Sequence, residues 1–380
     1  MRLLQAGTAL GLRSRLRPRQ VVLVDERGEL TAEDLHRMVA LLARPGTSPP
    51  SLADLSPEAP LRRVLAVALA ARGNLELRSS GTTGEPRLQR RGPLSPSQLR
   101  TLLDLARRTG LRPGARVASA APGVHGHGLM VALGALALGA PLVDLSHLRA
   151  EPRVRLLEAT SPAVLTGVPV HLLDVLTAHR EHSAGRPLRI ARVVSGSDVL
   201  PSSLRADLAR HFRARVHDVY GTTETGTISV DGRPLRGVRI REQDGLLHVR
   251  TPFTAGHELV TDRGRIGPGG RIEVLGRADG AVSSGGLLHH PQAVARLIAT
   301  HPQVASVRMR LVEDERFGTR TIAEVTLRPS SRGSADHGQR PSSAELRALV
   351  RDALGAAAVP REVVLVEPGL SSPGGSPGPR

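Results

Sequence analysis

Several residue types are missing or scarce in this chain of 380 residues. It contains no cysteine, no lysine and no tryptophan, and it has three phenylalanines and one tyrosine. Without cysteine the chain has no disulfide, no thiolate metal site and no cysteine nucleophile. No apolar run reaches the length that crosses a membrane. We therefore expect no membrane span and a cytoplasmic location.

The charge balance is strongly basic, with a formal net charge of +17. Such a balance can indicate a polyanionic partner. The arginines, however, are scattered over the whole length, and few aromatic side chains are present to stack on bases. We interpret the charge as a basic background and expect no nucleic-acid partner.

A run of small polar residues follows a short strand pattern at residues 74–77. Residues 78–87 read Arg-Ser-Ser-Gly-Thr-Thr-Gly-Glu-Pro-Arg. Glycine lets backbone N–H groups approach an anion, and the hydroxyls add further donors. The alternative, a flexible Ser/Gly linker, is disfavoured by the preceding strand. The run lacks the Gly-Lys-Ser/Thr ending of a P-loop and the spaced glycines of a dinucleotide fold, so it predicts another type of nucleotide phosphate loop.

Helical and strand patterns alternate between residues 95 and 220. This alternation predicts a parallel sheet with helices on both faces, in which ligands bind at the carboxyl ends of the strands. Earlier in the chain, Thr31 is a candidate N-cap for a helix that ends near Leu42. The predicted helices are 95–109, 128–139, 152–159, 169–179 and 202–213, and the predicted strands are 115–120, 141–145, 163–166, 190–195 and 215–219.

Short strand patterns separated by Gly and Asp turns follow Glu224 and predict a small barrel-like β subdomain. Residues 280–367 then read as a compact α+β unit with helices at 291–299 and 343–354 and strands near 304–311, 321–327 and 362–366. We expect His289 and His290 to lie in a surface loop. The last residues, 368–380, are rich in Gly, Ser and Pro and predict a disordered tail.

A second constellation ends the strand predicted at 215–219. Residues 220–224 read Tyr-Gly-Thr-Thr-Glu and contain the only tyrosine of the chain. A tyrosine face can stack on a purine, a hydroxyl can bond a phosphate, and a carboxylate can hold Mg²⁺. A strand that ends in an ordinary turn is the alternative. The phosphate loop and this set together favour a nucleotide site.

Both motifs resemble those of the adenylate-forming superfamily, which comprises acyl-CoA synthetases, the adenylation domains of peptide synthetases, and luciferases. The family pattern of the first loop is Ser-Gly-Thr-Thr-Gly, one free position, then Pro-Lys, and Arg87 stands here in place of the lysine. The resemblance implies a large N-terminal α/β domain at 1–278, shortened at its front, a small mobile α+β domain at 279–367, and the tail. Asp279 is the hinge that it implies between the two domains.

The resemblance also implies residue roles. Tyr220 packs against adenine, Thr223 contacts the α-phosphate, Glu224 binds Mg²⁺, Asp262 binds the ribose hydroxyls, and Arg277 contacts the ribose and phosphates. Asp262 follows Thr261, where the family has glycine. The nucleotide-binding set that it implies is Ser79, Ser80, Gly81, Thr82, Thr83, Gly84, Arg87, Tyr220, Gly221, Thr222, Thr223, Asp262 and Arg277, with Thr82, Thr83, Glu224 and Arg277 contributing to catalysis.

The acyl pocket falls, by the same resemblance, on His125 and on Ser195, Gly196 and Ser197. His125 belongs to a Pro-Gly-Val-His-Gly-His-Gly segment. Two histidines two residues apart can also indicate a metal site, but no third ligand lies nearby in the sequence. We therefore rank lining of the pocket first, a loop histidine with satisfied hydrogen bonds second and metal binding last.

The implied function is ATP-dependent activation of a carboxylic acid as an acyl adenylate, followed by transfer to CoA or to the phosphopantetheine of a carrier protein. One specific version is the o-succinylbenzoate–CoA ligase of menaquinone synthesis. The family's C-terminal lysine is missing, and Ser376 stands in its apparent place. The alternative is accordingly a degenerate relative that binds nucleotide or an acyl group without full turnover.

Overall fold

The structure is a computed structural model. It describes residues 6–43, 51–71, 75–79, 87–91, 93–124, 126–278, 280–285, 287–314, 316–328 and 340–366. The described residues separate into two compact units, one up to Ala278 and the other from Gly280 on. Within the described ranges, none of the helices has the length and apolar character to span a membrane.

The first unit is built around a sheet whose central strands are parallel. Its strands are short and mostly buried, as expected for a sheet covered on both faces. The strands are β1 (Val21–Asp25), β2 (Gly28–Thr31), β5 (Val117–Ser119), β6 (Leu142–Asp144), β7 (Val164–Gly167), β8 (Arg192–Gly196), β9 (Arg215–Thr222), β10 (Gly226–Val230) and β11 (Arg233–Pro234). The strand order is β11-β10-β9-β8-β7-β5-β6-β1-β2. A separate antiparallel hairpin pairs β3 (Leu75–Ser79) with β4 (Arg87–Arg91).

Helices cover both faces of this sheet. One apolar cluster packs against it from the side of the N-terminal helices, and a second packs from the side of α6, α7 and α8, around Phe212. The helices of this unit are α1 (Ala6–Leu16), α2 (Ala32–Leu42), α3 (Leu61–Ala70), α4 (Pro96–Thr109), α5 (Gly126–Leu138), α6 (Ala150–Thr160), α7 (Pro169–His182) and α8 (Ser202–Phe212). The alternation predicted from the sequence is confirmed, and the Thr31 side chain caps α2 by accepting from the Asp34 N–H at 3.2 Å.

The start of α3 docks onto the sheet through buried carboxylates. The Asp144 carboxylate, at the end of β6, accepts the backbone N–H of Leu61 at the start of α3 at 3.2 Å. Asp25, at the end of β1, pairs with Arg62, the second residue of α3. Both contacts lie at the N-terminus of α3, where backbone N–H groups lack partners inside the helix and a negative charge is favourable.

The remaining strands of the first unit form a four-stranded antiparallel sheet, which is the form taken by the predicted barrel-like subdomain. Its order is β12-β13-β14-β15. The strands are β12 (Arg239–Gln243), β13 (Leu246–Arg250), β14 (Leu259–Ile266) and β15 (Ile272–Arg277). Its buried face is formed by Leu247, Val249 and Ile272 together with Ile228 of β10, so this sheet packs on the end of the large one.

The second unit packs two helices against a small mixed sheet. The long hairpin of β18 and β19 forms its framework, and β20 adds to β19 in parallel. The elements are β16 (Val282–Ser284), β17 (Leu287–His289), α9 (Pro291–Ile298), β18 (Val304–Asp314), β19 (Gly318–Leu327), α10 (Ser343–Leu354) and β20 (Glu362–Val366). The α+β pattern predicted for this region is confirmed, but His289 is a buried strand residue rather than part of a surface loop.

Candidate functional site

The second sequence motif lies at the carboxyl edge of the main sheet. β9 runs parallel to β8, so that Gly196 is the register partner of Val219 and Ser195 that of Asp218. Tyr220 and Gly221 follow directly on β9. This edge is where parallel α/β sheets bind their ligands, and it brings residues 195–196 beside residues 218–221.

Tyr220, Asp262 and Arg277 come from three different strands and meet in one polar network. The Tyr220 hydroxyl donates to Asp262 Oδ2 at 2.5 Å and lies 3.0 Å from Thr261 Oγ1. Arg277 Nη1 lies 3.4 Å from Asp262 Oδ1. Burial, followed by the charge of Asp262, raises the pKa of the Tyr220 phenol. The phenol is therefore a neutral donor that holds a buried carboxylate.

The turn that follows Tyr220 is fixed by two threonines. The Thr222 and Thr225 hydroxyls each accept the other residue's backbone N–H at 3.2 Å, and Thr225 also bonds to Thr251 through its carbonyl. A Cβ on Gly221 would lie 2.4 Å from the carbonyl oxygen of Gly226, so only glycine fits between β9 and β10. The rigid turn presents the Glu224 side chain to solvent.

Glu224 and the turn offer hard oxygen donors of the type that Mg²⁺ prefers. Mg²⁺ is commonly held by one or two carboxylates together with water and substrate phosphates rather than by a cage of protein ligands. In the described part of the chain no group of three or more acidic, histidine or cysteine side chains is arranged to hold a metal ion. The donor set fits a cation that arrives with a nucleotide.

His127, at the start of α5, is the histidine that the structure places at the same sheet edge. Its Nε2 lies 2.8 Å from Thr166 Oγ1 on β7, and burial lowers its pKa to about 4. A Cβ on Gly196 would lie 3.1 Å from its Nδ1. The predicted pocket histidine, His125, lies outside the described residues.

Only one of the three residues predicted at the end of β8 faces His127. Gly196 does, whereas Ser195 is fully buried and, by strand alternation, points to the opposite face of the sheet. Ser197 is exposed and has φ of +67°. Thr166 and His127 were not predicted as site residues. Thr166 could have been found from its position at the end of a strand, and His127 from its position at the start of a helix.

The phosphate-loop motif is framed by the β3–β4 hairpin. Ser79 and Arg87 are register partners at the end of the hairpin from which residues 80–86 continue. Ser80, Gly81, Thr82, Thr83 and Gly84 lie outside the described residues, as does the predicted hinge residue Asp279. The roles given to these residues stay predictions.

Burial also perturbs a carboxyl group next to the motif. Asp218, two residues before Tyr220, has its pKa raised to about 6, chiefly by burial. Its backbone N–H donates to Asp231, which also bonds the His217 ring at 2.8 Å. Perturbed carboxyl groups of this type cluster at functional sites, and here the group lies at the carboxyl edge of the sheet.

Two family models match the chain. The model for AMP-binding enzymes matches residues 79–266, and the model for the AMP-binding enzyme C-terminal domain matches residues 293–371. The first match begins at the phosphate-loop motif and includes the Tyr220 and Asp262 motifs. Together the two matches take in most of the chain.

The chain is similar to CoA ligases. The 4-chlorobenzoate–CoA ligase of Pseudomonas sp. strain CBS-3 is 28% identical over 388 aligned positions, which cover 88% of this chain and 72% of that protein. The probable 2-succinylbenzoate–CoA ligase of Mycobacterium tuberculosis strain H37Rv is 33% identical over 166 residues, which cover 39% of this chain and 42% of that protein. The longer of the two likenesses therefore spans both units.

Solved structures share the fold. The amide bond synthetase McbA from Marinactinospora thermotolerans superposes with a TM-score of 0.73 at 20% identity, covering 94% of this chain and 95% of that chain. A double mutant of o-succinylbenzoate CoA synthetase from Bacillus subtilis also gives a TM-score of 0.73, at 17% identity, covering 94% of each chain. At these identities the likeness establishes the architecture alone.

Proposed function

Because this chain belongs to the AMP-binding enzyme family, as a relative of acyl- and aryl-CoA ligases, we propose that it is an ATP-dependent acid:thiol ligase. In the first step a carboxylate oxygen of the acid attacks the α-phosphorus of ATP. An O–P bond forms, the bond to pyrophosphate breaks, and an acyl adenylate results. In the second step the thiol of CoA or of a carrier-protein phosphopantetheine attacks the acyl carbon, and AMP leaves. The proposal includes a cytoplasmic location.

The observation that carries this proposal is the convergence of Tyr220, Asp262 and Arg277. These residues lie on β9, β14 and β15, far apart in sequence, yet hydrogen bonds and an ion pair join them. An aromatic face, a carboxylate and a guanidinium suit a purine, a ribose diol and a phosphate respectively. In the proposal Tyr220 packs on adenine, Asp262 accepts the ribose hydroxyls and Arg277 contacts the phosphates.

The remaining roles surround the α-phosphate. Donors from Thr82, Thr83 and Thr223 and the cationic side chain of Arg87 stabilise the charge that shifts toward pyrophosphate, because adenylation depends on positioning and charge stabilisation. Glu224 holds Mg²⁺, which when bound supplies further neutralisation of the phosphates. Asp279 is proposed as the hinge before the second unit, with domain boundaries at 278 and 367.

The pocket for the acid is proposed to lie beside His127 and Gly196. Since burial lowers the pKa of His127 to about 4, the ring is neutral at pH 7 and offers one donor and one acceptor rather than a positive charge. An acid with a neutral or aromatic acyl group suits such a pocket wall better than an acid that carries an additional carboxylate. This makes benzoate derivatives the first acids to test, as the name of the Pseudomonas relative also suggests.

The test is ATP–pyrophosphate exchange with a panel of acids that includes benzoates, o-succinylbenzoate and fatty acids of several lengths. We expect exchange with at least one acid, and we expect Glu224→Ala to abolish it. Glu273→Ala is the matched control, because Glu273 is an exposed carboxylate on β15 that pairs with Arg265. An active acid is then incubated with CoA or a carrier protein to identify the thiol acceptor.

The alternative is a degenerate relative that binds ATP or an acyl group without turnover. The absence of lysine from the whole chain is the observation that favours it. ATP binding without exchange for any acid of the panel would overturn the ligase proposal in favour of this alternative. Exchange with o-succinylbenzoate alone would identify the more specific ligase.

A further inference from the structure

Resting on the proposed function, the geometry points to Thr261 as a positioning residue that acts through Tyr220 to orient Asp262 for the ribose hydroxyls of ATP. Thr261 replaces the glycine that the family motif carries immediately before this aspartate. The three side chains form a relay in which Thr261 bonds to Tyr220, and Tyr220 donates to Asp262. The consequence is selectivity for a ribonucleotide over a deoxyribonucleotide.

A β-bulge makes this relay possible. Along β13 and β14, Leu246 pairs with Arg263 and His248 pairs with Val260, so that Thr261 and Asp262 together lie opposite Leu247. Consecutive side chains of a regular strand point to opposite faces. The extra residue of a bulge breaks this alternation and redirects a side chain. Thr261 and Asp262 can therefore both reach the Tyr220 hydroxyl, which regular pairing would prevent.

The hydrogen-bond directions give the relay an order. The Tyr220 hydroxyl has one proton, which it donates to Asp262 Oδ2 at 2.5 Å. A hydrogen bond across its 3.0 Å contact with Thr261 Oγ1 then needs the Thr261 proton. The same hydroxyl also donates to the Leu247 carbonyl at the longer distance of 3.3 Å, so its one proton is shared between the two acceptors. Thr261 therefore orients the tyrosine, and the tyrosine orients the carboxylate.

The Asp262 carboxylate is held at both of its oxygens. Tyr220 donates to Oδ2, and Arg277 approaches Oδ1 at 3.4 Å. Holding the carboxyl plane between these two groups orients it before the nucleotide arrives, which reduces the ordering cost of binding. Asp262 makes the direct contact with the ribose, so Thr261 and Tyr220 influence the sugar through it.

The experiment measures the dissociation constants of ATP, 2′-deoxy-ATP and 3′-deoxy-ATP without acid for the full chain and four variants: Thr261→Val, Tyr220→Phe, the double variant, and Thr261→Ser. We expect wild-type protein to prefer ATP over at least one deoxy analogue by about tenfold or more, the scale of a hydrogen bond to a charged group. Thr261→Val and Tyr220→Phe, which remove single hydroxyls, should lower this preference severalfold. Thr261→Ser should keep it.

The double variant tests the order of the relay. If Thr261 acts through Tyr220, then Thr261→Val changes the ribose preference in wild-type protein but not in the Tyr220→Phe background. An equal effect in both backgrounds would overturn the relay, as would an unchanged ribose preference in the single variants. If Thr261 had a structural role alone, its variants would have a lower melting temperature or would bind all three nucleotides more weakly by the same factor. That result also contradicts the inference.

The outcomes separate the relay from the ligase proposal. Ribose selectivity that depends on Thr261, in a chain that activates no acid, supports the relay and overturns the ligase. Acid activation with a ribose preference that none of the variants changes supports the ligase and overturns the relay. No measurable binding of ATP to wild-type protein overturns both.

Discussion

At the scale of the residue, Gly196 leaves the space that the His127 ring occupies. A Cβ at this position would lie 3.1 Å from His127 Nδ1 and 3.2 Å from the carbonyl oxygen of Val219. Both separations are tighter than ordinary van der Waals contact. The absence of a side chain at Gly196 therefore shapes the proposed acyl pocket.

We predict that Gly196→Ala raises KM for the acid roughly tenfold, because one extra methyl group in a pocket has effects of this order. The Kd for ATP should change little. Steady-state exchange kinetics with varied acid and a separate ATP titration measure the two effects. Gly11→Ala, on α1 where no atom lies within 4 Å of the added Cβ, is the control. A shift confined to ATP affinity would contradict the placement of the pocket.

A second prediction concerns His289 and the dependence of folding stability on pH. The ring is 7% exposed, and both of its nitrogens lack hydrogen-bond partners among the described residues. Burial, then the charges of His290 and Arg320, lowers its pKa to about 4, against about 6.5 in an unfolded chain. The unfolded state therefore binds more protons between these two values. The free energy of unfolding of the second unit should fall as the pH is lowered through this window.

The free energy of unfolding of the second unit should be about 2 kcal/mol lower at pH 5 than at pH 7.5. His289→Leu removes the titrating group, so its melting temperature should fall less than that of wild-type protein between the two pH values. Thermal unfolding monitored by circular dichroism measures both. The control is His257→Leu, at an exposed position of the first unit. Equal acid sensitivity of wild-type protein and His289→Leu would refute the assignment.

His127 and His289 also show what the sequence could predict at this scale. The local motif indicated that a histidine lies at the pocket, but the choice between His125 and His127 depends on where α5 begins. His289 was expected in a surface loop together with His290. It is instead buried on β17, where it pairs with Val282 of β16, a contact that residue type alone does not indicate.

At the scale of the element, α3 is held by its first backbone N–H group. The Asp144 carboxylate accepts from Leu61 and also from the Ser146 N–H and hydroxyl, at 3.2, 3.0 and 2.6 Å. Removing the carboxylate would leave a buried N–H group without its partner. We predict that Asp144→Ala destabilises the first unit by about 1–3 kcal/mol, the usual cost of a buried unsatisfied group.

Chemical denaturation monitored by circular dichroism measures this change. Glu33→Ala is the matched control, because Glu33 belongs to an exposed ion pair with Arg37 on α2, and such pairs contribute little. A loss for Asp144→Ala no larger than for Glu33→Ala would show that the helix docks through its apolar face alone. That face includes Leu61, Val64 and Leu65, which are fully buried.

The elements themselves were largely predictable from periodicity. The helix predicted at 343–354 has those bounds in the structure, and the strand predicted at 163–166 is Val164–Gly167. A cap contributed as well, since the predicted N-cap Thr31 accepts from the Asp34 N–H at the start of α2. The bulge at Thr261 and Asp262 was not predictable, because it is defined by the register of β14 against β13 rather than by the residues of β14.

At the scale of the whole molecule, each unit joins segments that are distant in sequence. β1, from the start of the chain, pairs with β6, and the strand order of the main sheet does not follow the chain. The alternating pattern predicts that such a sheet exists, but the order depends on which helices cover which face. The motif residues could be assigned because they follow strands that end at one edge, a rule that holds for any order of parallel strands.

The lysine that the family carries near the C-terminus is missing from this chain, and this absence bears on the proposed adenylation step. Ser376 stands in the apparent place of the family's lysine and lies outside the described residues. A preorganised donor that stabilises developing charge typically contributes a factor of about 10²–10³ to the rate. We therefore predict that Ser376→Lys increases the rate of ATP–pyrophosphate exchange by roughly this factor, while the Kd for ATP changes less.

Ser372→Lys adds the same charge four positions earlier and should give little increase. Equal rates for wild-type protein and Ser376→Lys would contradict the alignment of Ser376 with the lysine. Fast exchange by the wild-type chain would instead show that another group of this lysine-free protein stabilises the transition state.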